Sequence, residues 1–152
     1  MTKPLFLGAM LLSLLAGAAS VHAHDDAYLD TMQAPNGGQL RMAGIYHFEL
    51  VVDKRRSEAA DKTVVVHLTD HAGQRVSTAG ATGTATLLAG KVRTVVTLQP
   101  DGDNRLKGSG RYASTPDLKA VVSVTAKGQA TETARFTPLA GAQDAHMEHG
   151  KH

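Results

Sequence analysis

Tyr46 to Val52 reads Tyr-His-Phe-Glu-Leu-Val-Val, an alternation of apolar and polar residues that only an extended strand resolves into two faces. On such a strand Tyr46, Phe48, Leu50 and Val52 face one way and build core. His47 and Glu49 face the other way, and both can ligate a metal. Ala34-Pro35-Asn36-Gly37-Gly38 precedes it as a turn, and Gln39 to Ala43 forms a short strand before the next turn at Gly44.

The pattern repeats. Thr63–Thr69 is rich in β-branched residues, Ala81–Leu88 alternates Thr with small or apolar residues, and Lys91–Leu98 puts Val92, Thr94, Val96 and Leu98 on one face. Arg105–Tyr112, Leu118–Ala126 and Gln129–Phe136 complete the set. Turn signals separate the runs at 70–73, 89–90, 100–104, 115–117 and 127–128. Seven or eight short strands at such spacing predict an all-β domain, a single antiparallel β-sandwich of immunoglobulin-like type, over residues 39–138. Residues 24–38 read as an extended or briefly helical lead-in. Residues 53–62 read as a charged, solvated connector.

The ends read differently. Lys3, the apolar run Leu5–Leu15 and the small residues ending at Ala23 are the pattern of a secretory signal peptide over 1–23, which predicts a periplasmic protein without stable membrane insertion. Cleavage after Ala23 exposes His24, whose α-amine and imidazole chelate one ion; cleavage after Ala19 leaves Ser20-Val21-His22 instead. Residues 139–152 offer little to bury and read as a disordered tail carrying His146, Met147, His149 and His152.

The chain contains no cysteine and no tryptophan, and its 16 basic residues nearly balance 14 acidic ones. Thiolate catalysis and Cys-based zinc sites are excluded. The balanced charge and sparse aromatics argue against a nucleic-acid surface. No phosphate-binding loop, calcium loop or nucleophile elbow is present, so a non-enzymatic role is expected.

Metal ligation remains. A hairpin of 45–52 with 63–69 would set His47 opposite His67 in one register and Glu49 opposite His67 in another, with Asp70 and His71 at the strand end. The candidate ligands are His24, His47, Glu49, His67, His71, His146, Met147, His149 and His152. Imidazole and thioether without thiolate favour copper, with zinc, cobalt, nickel or cadmium as alternatives. Met32 and Met42 are further soft donors, although Met42 shares a face with Leu40 and reads better as core.

The Pro-Asn-Gly-Gly turn followed by Tyr46-His47-Phe48-Glu49-Leu50 resembles small periplasmic proteins of heavy-metal resistance, and the periplasmic segment of heavy-metal efflux adaptor proteins. Asn36 stands where the family pattern carries His. The resemblance runs from about His24 to Phe136. It implies a metal-linked periplasmic role, as chaperone, buffer or regulator of efflux, with an efflux adaptor as partner. The alternative expectation is a non-catalytic interaction module of the bacterial envelope.

Overall fold

The computed structural model describes residues 26–141. The expected signal peptide, His24 and the four tail ligands His146, Met147, His149 and His152 lie outside the described residues.

Each alternating run forms a strand. After a short helix α1 (Asp26–Leu29) come β1 (Gln39–Ala43), β2 (Tyr46–Val52), β3 (Ala60–Asp70), β4 (Thr82–Ala89), β5 (Val92–Pro100), β6 (Arg105–Tyr112), β7 (Lys119–Thr125) and β8 (Thr131–Phe136). All pairings are antiparallel, in the order β1-β2-β3-β6-β5-β4-β7-β8. The return of β7 to lie beside β4 is a Greek-key connection. The sheet coils until β8 approaches β1, giving a nearly closed, barrel-like structure. That seam has no ladder of backbone bonds; the Thr137 N–H donates to Gln39 Oε1 across it at 2.8 Å.

The inward face is the one the alternation predicts. Phe48, Leu50, Val64, Val66, Leu68 and Leu106 have no solvent exposure, and Leu87, Val96, Leu98, Val122, Val124 and Phe136 join them in one cluster. Each large aliphatic or aromatic side chain so buried contributes about 1.5–3 kcal/mol. The described part of the chain has no disulfide to substitute for this core.

Where β5 meets β6 the sheet turns a corner. The ladder between them has only two pairs, Gln99 with Lys107 and Pro100 with Leu106. Beyond it β5 crosses over the inner side of β6, where Gly108 and Gly110 leave room. A Cβ on Gly108 would collide with the Thr97 carbonyl oxygen and lie 2.6 Å from Val96 Cγ1; one on Gly110 would lie 2.7 Å from Val96 Cγ2.

Three local expectations need correction. Val92 is 65 % exposed, because the β4–β5 hairpin projects beyond the core and only Val96 and Leu98 of its predicted face are buried. The charged connector is shorter than it reads: β3 begins at Ala60, and Lys62 is buried. The Lys62 ammonium donates to the Arg56 carbonyl and to Ser114 Oγ (3.0 Å) and sits 5.3 Å from the Tyr112 ring centroid. Met42, finally, lies outside the core cluster; the inward residues of β1 are Arg41 and Ala43. Arg41 is held by Asp30 (2.6 Å) and Asp26 (3.8 Å), which dock α1 against β1.

Candidate functional site

The outer face of β1, β2 and β3 carries the folded domain's ligand candidates. Of the two registers the sequence allows, the structure has Glu49 opposite His67, while His47 opposes Thr69. His47 and His67, opposed in the other register, are therefore offset along the hairpin.

Glu49 is committed locally. The Ala34–Gly37 turn, closed by Gly37 N–H to Ala34 O at 3.1 Å with Gly37 at φ 73°, folds over the outer face of β2. There the Asn36 and Gly38 N–H groups donate to Glu49 Oε1 at 2.8 and 3.0 Å, and Asn36 Nδ2 donates to Oε2 at 2.8 Å. Glu49 is only 3 % exposed. Asn36 thus binds this carboxylate through both its backbone N–H and its side-chain amide.

His67 lies on the wall of a polar groove of about 450 Å³ formed with the turn at Pro35–Asn36 and the β5–β6 loop. Burial lowers its pKa from 6.5; the Glu49 carboxylate opposes that shift, and Arg105 and Arg75 add to it. The groove's Asp101 and Asp103 pair with Arg105 (2.8 Å) and Arg75 (4.0 Å). Asp101 is thus engaged by a close guanidinium, and Asp103 only by a distant, solvent-exposed one.

A different pair of histidines meets. Gly73, at φ 77°, turns the chain after β3, and Asp70 Oδ1 accepts from Ala72 N–H (2.9 Å) and Gln74 N–H (2.8 Å). Asp70 is thereby a turn-forming residue, and the turn swings His71 back over β2. The His47 and His71 rings stack with centroids 5.0 Å apart and planes 22° apart. His71 Nε2 lies 3.2 Å from the Gly44 carbonyl oxygen. A carbonyl only accepts, so Nε2 carries the proton in neutral His71 and the lone pair sits on Nδ1. A ring fixed by one N–H to a backbone carbonyl, its other nitrogen free to ligate, is the arrangement that metal-binding histidines use.

Met42 is a further soft side chain on this face. It is the ladder partner of His47. Directly opposed residues share a face with Cβ atoms about 5 Å apart, within reach of a thioether. Among the described residues no three His, Asp, Glu or Cys side chains converge on one point. Met42, a residue whose sequence pattern points to core, lies on the same outer face as the imidazole pair. The signal for its true position is in the sequence too: a tight turn at Gly44-Ile45 pairs residue 43 with 46, and so 42 with 47.

Compared with protein-family models, curated proteins and solved structures, the chain matches none of them.

Proposed function

We propose that the protein is a periplasmic metal-binding protein acting in heavy-metal resistance, holding copper and passing it to an efflux adaptor protein. The observation that carries this reading is the stacked His47–His71 pair, with His71 oriented by the Gly44 carbonyl and Met42 opposite His47. Once the rings rotate out of their stack so that their in-plane lone pairs converge, two imidazoles and a thioether form a soft, uncharged donor set that suits Cu(I) above the harder divalent ions; zinc, cobalt, nickel and cadmium are the competitors to exclude. The role is binding and handover without catalysis. The tail's His146, Met147, His149 and His152 and the N-terminal His24 would collect ions for the folded site. His67 and Glu49 are removed from the proposed primary ligand set, because Glu49 already accepts three hydrogen bonds.

Titration of the apo protein with Cu(I) against a competing chelator tests this. Binding that survives removal of residues 142–152, and weakens at least tenfold in His47→Ala, His71→Ala and Met42→Leu, is the expected result. Affinity no greater than that of a generic His-containing peptide, or complete loss with the tail, would overturn it.

A second reading is favoured by the use of Glu49 as a clamp for the Asn36–Gly38 turn. On that reading the β2 polar face is structural, and the chain is an immunoglobulin-like interaction module of the bacterial envelope with incidental metal binding. Capture of an envelope partner in chelator, by protein lacking both His47 and His71, would select it.

A further inference from the structure

The opposite side of the molecule carries a groove that the metal reading does not use. It lies on the outer face of β5, β4, β7 and β8, has a volume of about 480 Å³, and runs toward the β1/β8 seam. The ladder registers build it from two adjacent rows. In one, Leu88 of β4 stands between Arg93 of β5 and Lys119 of β7. In the other, Thr86, Val121 and Arg135 lie side by side across three strands. Strands spaced by about 4.8 Å put Arg93 and Lys119 roughly 10 Å apart on either side of an apolar side chain.

The floor is apolar and partly uncovered. Leu88 is 38 % exposed, at a position where a solvated sheet face normally carries a polar residue, and Val121 lies beside it half-buried. Phe136 lines the groove at the seam. The rim is cationic: no salt bridge engages the side chains of Arg93, Lys119 or Arg135 among the described residues, although Lys119 feels the nearby Asp117 carboxylate, and no Asp or Glu lines the groove. Arg41, at the seam end, is already held by Asp30 and Asp26. This one-sided charge stands out in a chain whose basic and acidic residues nearly balance.

We infer that this groove binds a free single-chain amphiphile with an anionic head, such as a long-chain carboxylate. The alkyl chain lies on Leu88 and Val121. The head meets Arg93 or Arg135, whose planar guanidinium matches a carboxylate with two parallel hydrogen bonds. The groove's volume falls in the range of small-ligand sites, about 300–1,000 Å³, and the apolar floor with a few charged groups at its border is their usual composition. A protein partner would need roughly 800 Å² of complementary surface on this side, far beyond a patch of two residue rows.

The test uses the full exported chain, laurate below its micelle concentration, and amide and methyl NMR. The expected result is saturable one-to-one binding with shifts centred on Thr86, Leu88, Val121 and Arg135. Acetate, which has the charge without the tail, and dodecyltrimethylammonium, which has the tail with the opposite charge, should leave these signals unmoved. The charge-reversed R93E/K119E/R135E variant changes only exposed side chains, and it should bind laurate at least tenfold more weakly; V121D should do the same from the floor. Equal binding of the cationic surfactant, several laurates per chain, or laurate affinity unchanged in both variants would overturn the proposal. So would shifts at this face produced by phosphatidylglycerol vesicles or an acidic peptide but not by laurate.

Discussion

Glu49 shows how one residue can look like chemistry and serve architecture. Its carboxylate accepts three hydrogen bonds from Asn36 and Gly38 and holds the Ala34–Gly37 turn on β2. Glu49→Ala in metal-free protein should destabilise the fold by about 2 kcal/mol, since charge-assisted bonds are stronger than neutral ones and the freed N–H groups regain water only in part. Glu49→Gln, which keeps one acceptor, should lose about half as much. Urea unfolding with an unchanged m-value reads both. His67 makes a pH prediction. Its pKa is lowered from 6.5 in the folded protein, chiefly by burial. As pH falls below 6.5 the unfolded chain takes up this proton first, so stability declines with pH until the folded His67 also protonates, and the contribution is level above 6.5. Urea titrations between neutral pH and about pH 5 should show a shallower decline in His67→Gln than in the parent. The ligand candidates on β2 and β3 are legible in the sequence because alternation assigns faces. Their pairing is not, because a polar outer face leaves the register free to slip by two residues without exposing any core side chain.

At the scale of the element, the strands are readable nearly to their ends because core-facing apolar residues recur at period two between clear turn signals. What escapes is wherever a residue's environment comes from distant chain. Lys62 reads as solvated because its neighbours are charged, yet Arg56, Ser114 and Tyr112 enclose it from other segments. The glycines of β6 read as small residues in an alternation, and only the fold shows β5 lying across them. Gly108→Ala should therefore cost about 3 kcal/mol, since the Thr97 carbonyl oxygen is backbone and cannot step aside as a flexible side chain could. Gly90→Ala is the comparison. Gly90 has φ 59° in the β4–β5 turn, and nothing lies within 4 Å of where the alanine methyl would stand, so only the backbone preference is lost, about 1 kcal/mol. Chemical denaturation of the two variants separates a collision inside the sheet corner from a turn preference; equal costs would mean that β5 moves freely over β6.

For the whole molecule, the two groups of proposed copper ligands differ in what brings them together. Met42, His47 and His71 come from β1, β2 and the turn after β3, so folding alone assembles them. His146, Met147, His149 and His152 are close in sequence and can chelate whether or not the domain is folded. Linkage turns that difference into a measurement. A ligand that binds only the folded state stabilises it by RT ln(1 + [L]/Kd), about 2.7 kcal/mol at a hundredfold excess over Kd, whereas one that binds folded and unfolded chains equally leaves the unfolding equilibrium where it was. Under reducing conditions Cu(I) should raise the Tm of the chain lacking residues 142–152 by several degrees for a domain of this size, and the rise should grow with free metal. His47→Ala should abolish the rise without removing tail binding from the full-length chain. A Tm that ignores copper in the truncated chain, beside intact binding in the full-length one, would assign the metal to the tail and leave the His47–His71 stack as packing.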